Sequence, residues 1–205
     1  MKSRKTIEDV STWYKTEGWY KQLLFEGYRV IKPYLTGKTL LEIGPADGVM
    51  TKLLHRHFTA MTLLEPAHIY VQYLQKQFPD AKVVETTVED FHPKTTYDTI
   101  VMAHVLEHIE DFDRALRKLR PAMHKKSRLI IIVPNAHAPQ RRISVALGII
   151  PKLDALNRRD KRLDHKRVYT LDLLKQHITR AGFHIQQSGN ILFGMDIYCI
   201  VTGET

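Results

Sequence analysis

Cysteine is almost absent from this 205-residue chain, with Cys199 standing alone. That excludes an internal disulfide framework and any cysteine-rich zinc module, and it fits a reducing compartment. Long apolar runs are missing as well. The longest aliphatic stretch, Leu129 to Val133, falls far short of the about 20 residues needed to cross a bilayer. The opening MKSRKTIEDV has no apolar core of signal-peptide length. A cytoplasmic chain with no membrane span is therefore expected. Repeats and low-complexity tracts are also lacking. What remains is ordinary globular composition, 43% hydrophobic and 26% charged, which excludes wholesale disorder. A chain of this length buries enough surface to hold a core without staples.

Charge is unevenly placed. From Arg114 to Arg167 there are 16 Lys/Arg and 3 Asp/Glu, a balance of +13, against 15 and 19 elsewhere, a balance of −4; together they give the net +9. One segment thus carries the whole basic excess. It is either a solvated basic surface or a field that attracts an acidic partner.

The hydrophobic pattern alternates between strand and helix. Helical stripes are predicted over Trp19–Leu35 (Leu23, Leu24, Tyr28, Ile31), after Gly48 (Val49, Met50, Leu53, Leu54), around Ile69, Tyr70, Tyr73, Leu74 and Phe78, and around Phe112, Ala115, Leu116, Leu119 and Met123. Buried strands are predicted at Thr39–Ile43, Ala60–Leu64, Lys82–Val84, Thr99–Ala103 and Arg128–Val133. Strands apolar on both faces, separated by helices, imply an α/β, doubly wound, mostly parallel sheet with helices on both faces. Thr170 can cap a further helix that Gly182 ends, and Phe183–Gln187 with Asp196–Val201 read as a hairpin adding one antiparallel strand.

Residues 136–168 break this rhythm. Residues 136–167 hold nine Lys/Arg and three Asp, a balance of +6, together with the apolar residues Val145, Leu147, Ile149 and Ile150. A long insertion leaving the carboxyl end of a strand lies where open sheets bind ligands. It is expected to cap a substrate pocket, and its apolar patch serves either as pocket wall or as a dimer contact. Monomer and homodimer both stay open.

The most informative stretch is Leu40-Leu41-Glu42-Ile43-Gly44-Pro45-Ala46-Asp47-Gly48, a strand running into a turn and a helix. Glu65 follows 21 residues after Gly44, at the end of the next strand, where a carboxylate can grip both hydroxyls of a ribose. A dinucleotide loop needs G-x-G-x-x-G. Here Ala46 and Val49 replace the second and third glycines, and Asp47 would set a negative charge beside phosphates. A phosphate-free cation such as S-adenosylmethionine fits better.

On LLEIGPADG (40–48), LLEP (63–66), VED (88–90), YDTIVMAHVLEHIED (97–111) and the following RLIIIVPN, the chain resembles class I S-adenosylmethionine-dependent methyltransferases over roughly residues 36–200. HKRVYTLDLL (165–174) with AGF (181–183) further resembles the bacterial small-molecule branch that includes ubiquinone-pathway and natural-product O-methyltransferases. Pro45 and Ala46 depart from the commonest glycine-rich motif. The resemblance implies a seven-stranded Rossmann-like domain over 36–205 with the basic cap inserted, preceded by a helical segment, 1–35, able to act as a lid. It implies that Glu42, Gly44 and Gly48 shape the loop under the methionine moiety, that Asp47 meets its amino group, and that Glu65 holds the ribose. Glu89 or Asp90 would bond the adenine amino group beside Val88, and His104 would lie near the sulfonium. Trp13 and Tyr14 are aromatic candidates for closing the pocket, while Trp19 reads as helix packing.

Methyl transfer from a sulfonium requires collinear alignment of nucleophile, methyl and sulfur, with a base helpful for a hydroxyl acceptor. His104 and His165 are the catalytic candidates, and His108 reads as structural. His104 and His108 have the i, i+4 spacing of a zinc pair, but Val105 stands where metalloproteases carry Glu, so no metal is expected. Arg141, Arg142, Arg167 and Tyr169 are candidates to hold an anionic substrate. The expected reaction is O-methylation of an acidic or phosphorylated small molecule. The alternatives are N-methylation of a small molecule, or RNA methylation using the basic cap, although no appended RNA-binding module is present.

Overall fold

A computed structural model describes residues 18–203; Trp13 and Tyr14 lie outside the described residues. In chain order the elements are α1 (Trp19–Ile31), β1 (Thr39–Ile43), α2 (Val49–Leu54), β2 (Ala60–Leu64), α3 (His68–Gln77), β3 (Lys82–Val84), β4 (Tyr97–Ala103), α4 (Phe112–Leu119), β5 (Met123–Pro134), α5 (Pro139–Ala146), α6 (Arg158–Arg162), α7 (Leu171–Arg180), β6 (His184–Ile191) and β7 (Asp196–Thr202). The strands form one seven-stranded sheet in the order β3-β2-β1-β4-β5-β7-β6. Strand β7 alone runs against its neighbours, pairing antiparallel with both β5 and β6. No helix among the described residues is long and apolar enough to cross a membrane.

Two-residue alternation explains why the sheet is covered twice. Leu41, Ile43, Ile100, Met102, Leu129 and Ile131 face α4 and α7, while Leu40, Leu63, Val101, Ile130 and Ile132 face α1, α2 and α3. Both sets are fully or nearly fully buried. Each such side chain contributes about 1.5–3 kcal/mol relative to exposure, so the two layers hold the strand ends, and hence the loops after them, in fixed relation.

The structure departs from the sequence pattern in three places. Helix α1 stops at Ile31 and tightens into a 3-10 turn over Lys32–Tyr34, because Pro33 has no N–H for another α-helical turn. In α3 the inward face is Val71 and Leu74, whereas Ile69 and Tyr73 are exposed. The residues around α3 offered two overlapping stripes, and the sheet beneath selected one. Met123 opens β5 rather than extending α4, since Pro121 and the turn over Arg120–Ala122 intervene.

The cap expected at 136–168 folds as α5, α6 and connecting turns. Its two ends are stitched together where Ala136 N donates to Tyr169 O at 2.7 Å, and Asn135 Nδ2, donating to Gly194 O at 2.8 Å, ties its start to the connection between β6 and β7. Within it, Asn157 and Asp160 form a reciprocal capping box at the start of α6. The cap therefore rises from the carboxyl end of β5, beside the ends of β1 and β4.

Candidate active site

The parallel strands β1, β2 and β4 end at one edge of the sheet, and the loops after them enclose a cleft of about 270 Å³. Strand β1 delivers Glu42 and then the bend Gly44–Gly48, in which Gly44 (φ 65), Ala46 (φ 49) and Gly48 (φ 73) are left-handed. Two glycines there are required for different reasons. A Cβ on Gly44 would stand 2.5 Å from Val105 Cγ2 in the loop after β4, so Gly44 lets the two loops close against each other. A Cβ on Gly48 would meet the Phe78 ring at 2.9 Å, so Gly48 seats the bend on the end of α3. Gly48 thus supports the cleft from behind and does not line it.

Glu65 ends β2 and is 4% exposed. Its Oε2 accepts from Ala46 N at 3.0 Å and its Oε1 from Ala67 N at 2.9 Å. One carboxylate thus fixes both the bend and its own loop while facing the cleft. Glu42 is 2% exposed, and its Oε2 has no hydrogen-bond partner. Burial, helped by the nearby Glu65 charge, raises its carboxyl to about 8. Asp47 and Glu89 line the same cleft, whereas Asp90 does not. Asp90 turns its Oδ2 to the Thr87 hydroxyl at 2.9 Å, which leaves Glu89, beside buried Val88, as the acid of that pair facing a ligand. The described lining holds five carboxyl side chains (Glu42, Asp47, Glu65, Glu89 and Asp164) and no lysine or arginine.

A second chamber of about 260 Å³ adjoins the cleft under the cap. His104 and Tyr20 line both spaces, so they mark the seam. His104 follows β4 in a left-handed conformation (φ 56), its backbone N–H held by Ile132 O at 2.8 Å. Its Nε2 lies 3.0 Å from Asp196 Oδ2 and its Nδ1 3.6 Å from Glu107 Oε1, and both carboxylates are buried. Burial alone would lower the imidazole, but these two charges outweigh it and raise the ring to about 10. With both nitrogens turned to carboxylates, His104 is a fixed imidazolium at pH 7. That corrects the expectation of a general base at this position.

His165 is better placed to act on an acceptor. It comes from the far end of the cap, is 9% exposed, and lines the second chamber. Its Nδ1 faces Asp160 Oδ1 at 3.5 Å, and its Nε2 is buried without a hydrogen-bond partner. Asp160 is anchored in turn by Arg141 Nη1 and Asn157 N, both at 2.9 Å. Burial would raise the Asp160 carboxyl, but the bonds from His165, Asn157 and Arg141 hold it down near 2. His108 lies perpendicular to His165, with ring centroids 4.7 Å apart. Burial lowers His108 to about 4, and it lines the cleft rather than packing as the purely structural residue expected.

Of the four expected substrate contacts, Arg141 alone reaches the second chamber. Arg141 is 6% exposed, and its guanidinium donates to Leu153 O, Ala155 O and Asp160, so it braces the cap from inside. Arg142 is directed to His137 O at 3.1 Å. Arg167 donates to Ile109 O and Glu110 O and lies over the Phe112 ring. In Arg141 and Arg167 the terminal nitrogens are already bonded to the chain and have little left for a ligand, whereas Arg142 is exposed and lines neither space. Tyr169 is wholly buried, edge-on to His177, and lines neither space, so it belongs to the core. Trp19, read as helix packing, is instead 53% exposed at the rim of the chamber. Two arginines line the chamber, the expected Arg141 and, unexpected, Arg159. In sequence Arg159 was indistinguishable from its basic neighbours. Glu107, Asp160 and Asp196 were missed altogether, because their roles arise only from pairing across distant segments.

A carboxylate-lined cleft with Glu65 at the second strand end suits an adenosyl cation, and comparison with known proteins agrees. A sequence profile of the methyltransferase domain family matches residues 20–188. The chain belongs to that family. By family and fold together it is a class I, S-adenosylmethionine-dependent methyltransferase. No curated protein matches it significantly in sequence. Its fold is shared with solved structures that are distant in sequence. A methyltransferase from Aquifex aeolicus is 14% identical over 96% of this chain and 99% of its own, with a TM-score of 0.74. One from Mesorhizobium loti is 15% identical over 86% and 97%, with a TM-score of 0.71. The N-methyltransferase NodS of Bradyrhizobium japonicum, solved with S-adenosylhomocysteine, is 14% identical over 89% and 86%, with a TM-score of 0.65.

Proposed function

We propose that this methyltransferase carries the methyl group of S-adenosylmethionine to a hydroxyl oxygen of a small anionic acceptor held in the chamber under the cap. The observation that carries the cofactor end is the cleft lining, with five carboxyl groups and no lysine or arginine among the described residues. Phosphates would be repelled there, while a ligand with a sulfonium and an ammonium is drawn in. In this reading Glu65 grips the ribose, Glu89 meets the adenine amino group, and Asp47 together with the unpartnered Oε2 of Glu42 receives the ammonium.

The acceptor end rests on the second chamber. It shares His104 and Tyr20 with the cleft, so an acceptor inside it would lie beside the bound cofactor. The chamber wall sets Arg141 and Arg159 beside Glu107, Asp160 and Asp196, and the basic excess of the surrounding cap favours a negatively charged acceptor. Transfer forms the O–CH₃ bond and breaks the CH₃–S bond, and the hydroxyl proton must leave. His165 is the group aimed at that proton, while imidazolium His104 positions its neighbours and counters the charge of Asp196 and Glu107. A chamber of about 260 Å³ is of a size for a small metabolite.

The test is calorimetry with S-adenosylhomocysteine followed by turnover against a library of hydroxy, amino and carboxy acids. Tight product binding with methyl ether formation supports the reading, and methylation confined to carboxylates would overturn the hydroxyl acceptor. Methylation confined to amines would move it to the N-methyl alternative, and a steep salt-dependent shift of bulk RNA would move it to nucleic acid.

A further inference from the structure

The wall between cleft and chamber carries a group of side chains that methyl transfer alone does not account for. Glu107 is 1% exposed, and neither of its carboxylate oxygens has a hydrogen-bond partner. Buried carboxylates left in that state are costly unless a cation compensates them. His104 stands between Glu107 and Asp196, so these two buried carboxylates share one histidine. Directly beside Glu107 stand His108 and His165. One ligating atom from each of these three residues lies within 4.8 Å of the others. The buried Nε2 of His165 is also without a hydrogen-bond partner.

We propose that Glu107, His108 and His165 bind one divalent first-row transition-metal ion. Two imidazoles and one carboxylate are a borderline donor set that suits zinc, manganese or iron better than the all-oxygen preference of magnesium or calcium. The surroundings of His165 fit that role. A ligating histidine commonly presents its second ring nitrogen to a carboxylate, which fixes the ring and its tautomer. Here His165 Nδ1 faces Asp160 Oδ1 at 3.5 Å, and Asp160 is itself held by Arg141 and by its own capping box. The arginine expected to bind substrate thus becomes the outer brace of a ligand histidine. A second tie joins the two ligand-bearing segments: Lys166 N donates to Glu107 O at 2.8 Å. His104 and His108, spaced four apart in the sequence, do not pair: His104 faces Asp196, and the histidine beside His108 comes from the cap.

The location gives the ion a use, and this part rests on the methyl-transfer reading. Glu107 and His165 line the acceptor chamber, while His108 lines the cofactor cleft. An acceptor hydroxyl taking an open coordination position would lose its proton more readily, and with the ion bound His165 serves as its ligand in place of acting as the base. Its oxygen lone pair then forms the bond to the methyl carbon, the electrons of the C–S bond stay on sulfur, and the proton passes to water.

Metal-stripped protein titrated with Co²⁺, followed by its visible ligand-field absorption, tests the site without turnover. About one equivalent is expected to bind. His165→Gln and Glu107→Gln should each weaken binding by roughly 100-fold or more, and Asp160→Asn by about 10- to 100-fold. S-adenosylhomocysteine calorimetry on the same samples reports folding and the cofactor cleft separately. Retained cofactor binding with lost Co²⁺ affinity is the expected result. Failure of the wild type to bind S-adenosylhomocysteine would sink the cofactor reading and leave the metal result to stand alone. Absence of Co²⁺ absorption, or absorption unchanged in His165→Gln and Glu107→Gln, would overturn the proposal and place any ion at exposed pairs such as His55–Asp80. Should Glu107→Gln fail to fold, His165→Gln and Asp160→Asn decide.

Discussion

Glu42→Gln should move stability and cofactor binding in opposite directions. The carboxyl is pushed from 4.5 to about 8 because burial penalises its ionised form. Folding therefore favours the protonated acid. That preference is fully present below pH 4.5 and is lost as pH rises through about 8. At about 1.4 kcal/mol per pKa unit, the ligand-free protein at pH 9 carries a penalty on the order of 4 kcal/mol. Glutamine is neutral at every pH and isosteric, so the variant should match the wild type at pH 5 and exceed it at pH 9. At about 2–4 °C per kcal/mol for a chain of this size, the gain in Tm at pH 9 should be at least about 5 °C. Binding should show the reverse. At pH 7 Glu42 is protonated in the empty cleft and must ionise to receive an ammonium, so binding S-adenosylhomocysteine should release close to one proton. Calorimetry in phosphate and Tris buffers at pH 7 reads this directly, since the apparent enthalpy then depends on the buffer's own ionisation heat. In Glu42→Gln the buffer dependence should vanish and affinity should fall at least tenfold. A wild-type enthalpy that is the same in both buffers would refute the assignment of Glu42 to the ammonium, as would a proton release that persists in the variant.

Other consequences are equally direct. Gly44→Ala forces a side chain to within 2.5 Å of Val105 at a left-handed residue; it should cost about 1–3 kcal/mol, and adding Val105→Ala should restore part of the Tm but not all. Arg141→Met strands Asp160 in the cap and should lower stability by about 3–5 kcal/mol while leaving S-adenosylhomocysteine affinity within twofold; a purely kinetic effect with unchanged Tm would return Arg141 to substrate binding. Tyr169→Phe removes a buried hydroxyl that has no hydrogen-bond partner, so thermal unfolding should show no loss of stability, and a clear drop in Tm would reveal a bond to that hydroxyl.

Much of the architecture was legible because it depends on local periodicity. Strands apolar on both faces, a helix cap at Thr170, whose Oγ1 accepts from Leu173 N at 3.1 Å, and the bend after Ile43 are written in adjacent residues. Glu65 was legible for the same reason, since its distance from Gly44 is set by one strand–helix–strand unit. The cap was visible only as an interruption. Nothing in its run of arginines told which guanidinium turns inward, because that depends on meeting Asp160 after the chain has folded back.

The sequence by itself determined the sheet, its two apolar layers and the acidic cleft at its edge, because each follows from spacing within a few dozen residues. Tertiary structure alone decided the chemistry around the seam. His104 meets Asp196 from a strand 92 residues away, and His165 returns from the cap to stand over His108. Whether a histidine is a base, a fixed cation or a ligand depends on which charges surround it once it is buried, and those charges come from segments that only the completed fold brings within reach.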